Sequence, residues 1–232
     1  MTPEDRTDGP ARSAAQLEQD LRELVATVRD PHLRVLLDRL LGRDAPLWPR
    51  FRDAPAAKRL HHSYRHGLLE HCVTVAQAVS AISATFPGID RDVAVTGALL
   101  HDVGKLDAYC GDEPATDLTD AGRLQGEIPL GYYLVRREIE QLDGFPPALA
   151  QALVHIILSH HGSLEHGSPV VPCTREATLV HFVDNLDARL GSFDRLEKAL
   201  PDGAAWSGWD KVLGAGAYFG ARDAAPAQVR AA

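Results

Sequence analysis

The stretch GALLHDVGKLDAY, residues 97–109, decides the fold of this chain. Its first four residues form an apolar run of the kind that folded proteins bury, and His101 and Asp102 follow directly. Burying an imidazole and a carboxylate without partners is costly. The sequence around this stretch therefore has to supply whatever compensates for the two polar side chains.

Helical periodicity extends on both sides of this stretch. Apolar residues recur at intervals of three and four, which predicts helices, and no alternating strand pattern of useful length occurs. The fold class is therefore predicted to be all-α. The predicted helices cover residues 15–29, 31–41, 68–82, 91–103, about 120–142 with a kink at Pro129, 147–161 and 174–200, and residues 42–58 read as a connecting loop.

Composition divides the chain into four parts. Residues 1–14 are polar and rich in Pro, Gly and charge, which predicts disorder. Residues 15–48 form an N-terminal helical extension, residues 49–200 the main helical domain, and residues 201–232 an Ala- and Gly-rich tail. The aromatic residues of this tail predict that it packs against the domain before it frays.

Charge and cysteine spacing exclude several classes of protein. The formal net charge of −8 argues against an extended electrostatic grip on long nucleic acid. Cys72, Cys110 and Cys173 are too far apart for a zinc-binding pair and read as reduced thiols. No apolar run of about 18 residues and no secretory signal occur. We therefore expect a cytoplasmic protein without membrane contact, and a homo-oligomer is compatible with the sequence.

Four predicted helices each carry an imidazole or a carboxylate on the face that points inward. A lone histidine of this kind is more often a hydrogen-bonded core residue than a ligand. Several such groups together are compensated most simply by a cation, and His with Asp or Glu suits Mn, Fe, Ni, Zn or Mg. The sequence thus predicts a divalent metal site, with His101 and Asp102 as adjacent ligands. The other residues on these inward faces are His71, His160, His161 and Asp184.

Four separated motifs resemble, in order, the HD-domain metal-dependent phosphohydrolase superfamily. They are HHSYRHGLLEH (61–71), GALLHDVGK (97–105), LTDAGRLQGEIPLGY (118–132) and ILSHHGSLEHGSPVVPCTREATLVHFVDNLDA (157–188). Within the superfamily they resemble the YhaM-type 3′-to-5′ exoribonuclease branch. The resemblance implies an HD-domain helical bundle, here with additional N-terminal helices. About 45 residues precede the motifs, too few for the five-stranded OB barrel of that branch, so no OB domain is expected.

The resemblance also implies the roles of the first metal ligands. His71 corresponds to the first histidine, His101 and Asp102 to the signature pair, and Asp184 to the closing aspartate. Asp187 reads as a neighbour of Asp184, either solvated or supporting the site.

A second metal is implied as well. His160 and His161 match the extra histidines of HD proteins that bind two metals. Glu127 stands where that pattern usually has a histidine, and it is either the third ligand of a second ion or an ordinary acid on a helix surface. Asp102 would then bridge the two ions.

The predicted chemistry is hydrolysis of a phosphoester by metal-activated water. Three carboxylates and two divalent ions leave a net positive charge of about one, which attracts a phosphate despite the acidic chain. Asp102 and Lys105 are the candidate catalytic residues. Lys105, Arg65 and Arg123 are candidate phosphate contacts, with surface charge as the alternative for each. The predicted substrate is a nucleotide or other phosphorylated small molecule, or a short nucleic acid.

Two other functions fit the same ligands. Some HD proteins use a di-iron centre to activate oxygen, so a di-iron oxygenase is the first alternative. The second is a non-catalytic module that senses nucleotides or metals, although a sensor need not retain a full ligand set.

Overall fold

A computed structural model describes residues 10–58, 62–110 and 116–220. The predicted disorder of residues 1–9, the first residue of the motif 61–71, and the end of the tail from residue 221 onwards lie outside the described residues.

Helices form nearly all of the regular secondary structure of the described chain, which confirms the predicted class. Two pairs of short antiparallel strands accompany them, and these strands were not predicted. The helices are α1 (Ala14–Thr27), α2 (Pro31–Leu41), α3 (Trp48–Asp53), α4 (Gly67–Ser83), α5 (Arg91–Leu100), α6 (Lys105–Ala108), α7 (Asp120–Gln125), α8 (Glu127–Glu140), α9 (Pro147–Ser159) and α10 (Arg175–Lys198). The strands are β1 (Tyr109–Cys110), β2 (Asp117–Leu118), β3 (Trp206–Asp210) and β4 (Ala215–Tyr218).

Local capping explains several helix starts. The Asp30 side chain accepts hydrogen bonds from the first backbone N–H groups of α2, and Pro31 occupies the first helical position, as the sequence predicted. Asp90 caps α5 and Thr174 caps α10 in the same way. These caps fix where the polar residues fall on each helix.

One continuous hydrophobic core joins the N-terminal helices to the rest of the bundle. The helices α4 and α5 lie at its centre, and Gly97 permits α5 to approach α9 closely, since a Cβ there would come within 2.4 Å of Ile156. At the end of the same motif, a Cβ on Gly104 would come within 2.0 Å of the Glu127 carbonyl oxygen. The two glycines therefore allow α9 and α8 to pack close to His101 and Asp102, which we call the HD pair.

The single kinked helix predicted over residues 120–142 is wrong. Gly126 adopts a positive φ of 81° and separates α7 from α8. Pro129 falls in the first turn of α8, where the missing N–H would have no intrahelical partner, so the proline causes no kink. Glu127 therefore begins a helix instead of lying within one.

Other segments also differ from the prediction. The loop predicted over 42–58 contains α3, because Trp48 and Phe51 are buried against the core. Within the stretch predicted to be disordered, Arg12 forms an ion pair with Asp20 at 2.7 Å, and Ala11 N donates to the Glu70 side chain at 3.1 Å.

The cysteines Cys72, Cys110 and Cys173 are free thiols. Across residues 10–58, 62–110 and 116–220, we find no helix with the length and apolar character that a membrane span needs.

Candidate metal centre

The polar residues of the inward-facing helices meet at one end of the bundle. His71 lies in the second turn of α4, and Asp184 lies in the middle of α10. The HD pair directly follows α5, and His160 directly follows α9. His71, His160 and the HD pair are buried, so their side chains depend on protein partners or a ligand.

The first group of candidate ligands consists of His71, His101 and Asp184. The Nε2 atoms of the two histidines are 3.1 Å apart. Oδ1 of Asp184 lies 3.2 Å from Nε2 of His71 and 3.7 Å from Nε2 of His101. Three donor atoms at this spacing could contact a single ion.

The second group consists of Glu127, His160 and His161, whose donor atoms all lie within 4.8 Å of one another. Nε2 of His161 is 3.4 Å from Oε1 of Glu127. The first turn of α8 therefore delivers Glu127 to the two histidines that follow α9. The arrangement favours the ligand interpretation of Glu127 over the surface-acid interpretation.

Asp102 lies between the two groups and directs one oxygen to each. Its Oδ2 is 3.3 Å from Nε2 of His71, and its Oδ1 is 3.5 Å from Nε2 of His160. A carboxylate in this position could bridge two ions, as the resemblance implied.

Three buried atoms of this site test whether a cation fits. Oδ1 of Asp102, Oε1 of Glu127 and Nε2 of His160 have no hydrogen-bond partner among the described residues. A buried polar atom without a partner is costly and rare. All three are electron-pair donors that divalent ions accept. The residues therefore fit a metal in the second group and a bridging role for Asp102.

Each candidate histidine is oriented through its other ring nitrogen. A carbonyl or carboxylate oxygen accepts a hydrogen bond from Nδ1, which leaves the Nε2 lone pair directed into the site. The acceptors are Asp187 Oδ2 for His71 (2.8 Å), Ala98 O for His101 (2.7 Å), Ile157 O for His160 (2.8 Å) and His166 O for His161 (2.9 Å).

Asp187 accepts a hydrogen bond from His71 directly, which favours the supporting role over the solvated one among the two interpretations of this residue. The same Oδ2 atom also lies 3.1 Å from Nε2 of His62. Burial raises the pKa of the Asp187 carboxyl, but the hydrogen bonds with His62 and His71 lower it by a larger amount. The pKa therefore lies below its ordinary value. The spacing of Asp187 three residues after Asp184 places both carboxylates on one face of α10, which is the signal available in the sequence.

Lys105 lies in the centre, as predicted. Its Nζ is 2.6 Å from Oδ2 of Asp102. Burial lowers the pKa of the ammonium, but the Asp102 carboxylate raises it more, so the lysine stays charged. It therefore brings positive charge to the Asp102 carboxylate.

The two predicted arginines are elsewhere. Arg65 is exposed and pairs with Asp53 at 3.0 Å, and Arg123 is exposed and pairs with Asp117 at 3.1 Å. Neither lines the cavity at the metal centre. Because both guanidinium groups are held outward by these carboxylates, the predicted phosphate contacts of Arg65 and Arg123 are not supported.

A cavity of about 620 Å³ opens over the candidate ligands. Its walls include Lys105 and two cations that the sequence analysis missed, Arg189 of α10 and Lys211 of the tail. The turn between β3 and β4, residues 211–214, closes one side. The volume lies in the ordinary range for small-molecule sites, roughly 300–1,000 Å³.

The sequence of this chain matches one protein family and several curated relatives. The HD domain family model matches residues 68–189. The 3′-5′ exoribonuclease YhaM of Geobacillus sp. (strain WCH70) is 34% identical over 184 residues, which cover 79% of this chain and 55% of the relative. YhaM of Bacillus velezensis (strain DSM 23117 / BGSC 10A6 / LMG 26770 / FZB42) is 33% identical over 80% of this chain and 58% of its own length. YhaM of Bacillus subtilis (strain 168) is 38% identical over 65% of this chain and 48% of its own length.

The chain spans about half the length of these curated relatives. No solved structure matches it significantly.

Proposed function

The chain belongs to the HD-domain family, and from this premise we propose that it is a metal-dependent phosphohydrolase that cleaves phosphodiester bonds in a nucleotide or short oligonucleotide. The observation that carries the proposal is the position of Asp102, which directs one oxygen to each of two groups of candidate ligands. Relatives named as 3′-5′ exoribonucleases support the same class of chemistry.

The proposed ligands divide between two ions. His71, His101 and Asp184 would hold one ion, and the other would bind to the group of Glu127, His160 and His161. A divalent ion bound there lowers the pKa of a coordinated water to about 7 and so supplies a nucleophile at neutral pH. Asp102 would connect the two ions, and the hydrogen bonds at each Nδ1 hold the imidazole rings in place.

Lys105 would neutralise negative charge on the phosphate. Its ammonium lies at the bridging carboxylate and lines the cavity. Because it is charged it cannot ligate a metal, but it can interact with phosphoryl oxygens on which charge develops. Arg189 and Lys211 would add positive charge at the cavity wall, which suits an anionic substrate despite the net charge of −8.

The decisive experiment measures hydrolysis of bis-p-nitrophenyl phosphate, nucleotides and short RNA by protein reconstituted with Mn. Asp102→Ala should abolish both metal binding and hydrolysis while far-UV circular dichroism still shows the helices. Asp44→Ala, which removes an exposed carboxylate from a loop, is the matched control and should behave like the wild type. Full metal content and full rate in Asp102→Ala would show that the assigned site is wrong.

The same screen separates the two alternative functions. If product forms only with dioxygen and iron-loaded protein, and no product forms with manganese-loaded protein, the chain is a di-iron oxygenase. Nucleotide binding without turnover under any of these metals would indicate a sensing module.

A further inference from the structure

Three exposed aromatic side chains lie on one face of the hairpin formed by β3 and β4. Trp206 pairs with Tyr218, and Trp209 pairs with Gly216. Residues directly opposite each other point to the same side of a sheet, and residues two apart on β4 do so as well. The rings are 61%, 72% and 58% exposed for Trp206, Trp209 and Tyr218. We call these three residues the aromatic face.

An irregularity in the pairing between Trp206 and Trp209 explains why both residues share this face although they are three apart. The Trp206 and Tyr218 rings contact each other, with centroids 4.9 Å apart. Gly216 carries no side chain, so β4 leaves the Trp209 ring uncovered from directly opposite. The aromatic face thus offers ring surface in two places along the hairpin.

The opposite side of the hairpin is anchored to α10. Asp210 is buried and accepts a hydrogen bond from Arg195. Its other oxygen accepts from the backbone N–H groups of Val212 and Leu213 at 2.9 and 3.0 Å. These contacts fix the turn and hold the aromatic face in one orientation.

The same turn borders the candidate metal centre. Residues 211–214 line the cavity together with Arg189. Arg189 donates hydrogen bonds to the carbonyl oxygens of Val212 and Leu213 at 3.3 and 3.2 Å. Those acceptors are neutral, so its positive charge is not neutralised by them. One short hairpin therefore joins a cationic cavity wall, Arg189 and Lys211, to exposed rings.

We propose that the aromatic face binds the bases of a single-stranded nucleic acid whose end lies in the metal cavity. Proteins that bind single strands combine cationic residues along the phosphate path with aromatic rings on which bases stack. The strand rise of about 3.3 Å per residue separates Trp206 from Trp209 by roughly 10 Å at most, enough for different bases. The proposal rests on the proposed function, since it names the substrate of the same site.

Charge favours this occupant over a second copy of the chain. The cores of protein–protein interfaces are depleted in charged residues, whereas the turn of this hairpin carries Lys211, which lines the metal cavity beside Arg189.

The test measures binding of a fluorescein-labelled hexaadenylate RNA to the full chain in EDTA, which stops metal-dependent hydrolysis, by fluorescence anisotropy. Trp206→Ala and Trp209→Ala should each weaken binding by about tenfold, within the range measured for one stacked base. Trp209→Phe keeps a ring and should restore most of the affinity. Phe86→Ala removes a ring of similar exposure, 57%, from the turn that follows α4 and should bind like the wild type.

Salt separates the contribution of charge from that of stacking. Lys211→Ala should reduce the slope of log affinity against log salt by about one, because one phosphate contact is lost. The tryptophan variants should weaken binding without changing this slope.

The outcomes distinguish this proposal from the proposed function. Ring-dependent RNA binding by a chain that hydrolyses neither bis-p-nitrophenyl phosphate nor nucleotides nor short RNA would support the aromatic face and reject the enzyme. Hydrolysis of RNA with equal affinity in wild type, Trp206→Ala and Trp209→Ala would reject the aromatic face alone. An altered molecular mass in the ring variants by light scattering, with unchanged RNA affinity, would assign the face to a second copy and overturn the proposal.

Discussion

Replacing Asp187 tests whether one ion is held through a hydrogen bond outside its ligand set. Asp187 accepts from Nδ1 of His71 at 2.8 Å and does not belong to the group of His71, His101 and Asp184. The Asp187 carboxylate fixes the His71 ring and raises the basicity of Nε2. Loss of the carboxylate should therefore weaken the binding of an ion by the group of His71, His101 and Asp184. Removing such a partner typically costs ten- to a hundredfold in metal affinity.

The structure sets the size of the effect for each substitution. In Asp187→Asn the amide oxygen can still accept the hydrogen bonds that Oδ2 accepts from His71 and His62 in the wild type, but it lacks the negative charge that raises the basicity of the His71 ring. We therefore expect about a tenfold loss, or roughly 1.4 kcal/mol. Asp187→Ala removes the acceptor altogether and should approach a hundredfold, roughly 2.7 kcal/mol.

The second ion should be unaffected, because His160 and His161 donate to backbone carbonyls that the substitution leaves in place. Extraction of manganese by a graded series of chelator concentrations, followed by elemental analysis, should therefore show one ion leaving earlier and one unchanged. Asp194→Asn removes an exposed carboxylate two turns along α10 and is the matched control. Equal loss of both ions, or no change in either, would refute this account of His71.

Three further predictions follow from the same geometry. Glu127→Ala should leave one ion per chain and Glu127→His should keep two, as measured by elemental analysis; two ions in Glu127→Ala would remove Glu127 from the ligand set. Lys105→Ala should slow phosphodiester cleavage roughly ten- to a hundredfold at unchanged metal content, since a charge-assisted contact contributes about 1.5–3 kcal/mol, and an unchanged rate would reject that role. Burial lowers the pKa of His101, but the carboxylates of Asp102 and Asp184 raise it more, to about 9. An ion must therefore displace a proton below that pH, and apparent metal affinity in chelator-buffered titrations should rise by up to about tenfold per unit from pH 6 to 9; a flat profile would contradict it.

Local signals in the sequence were sufficient for the helices and for the inward-facing polar residues. The cap at Asp30 and the apolar stripes depend on neighbours within a few residues, so periodicity identifies them. Gly126 was harder, because a glycine before Glu127 and Pro129 is compatible with either a kink or a break. The close approach of Gly104 to α8 favours a break at Gly126. This approach is a tertiary contact, so local sequence patterns do not reveal it.

The partners of charged side chains were the least predictable part of the site. Arg65 and Arg123 lie near the motifs in sequence, but Asp53 and Asp117 hold them away from the cavity. Arg189 reaches the cavity from α10 itself, and Lys211 reaches it because the turn between β3 and β4 packs against α10. The β3–β4 hairpin has weak strand periodicity and is fastened by side-chain contacts to α10, so no pattern within the tail itself predicts it.

The free-energy cost of burying His101 and Asp102 can be compared with the contacts that offset it. Nδ1 of His101 has a backbone acceptor, and Oδ2 of Asp102 has the Lys105 ammonium. Oδ1 of Asp102, Oε1 of Glu127 and Nε2 of His160 have no hydrogen-bond partner among the described residues, and leaving a buried polar atom in that state typically costs about 1–3 kcal/mol. Core histidines that merely fill space have their hydrogen bonds satisfied, so this deficit argues for a cation and against the reading of these residues as ordinary core groups.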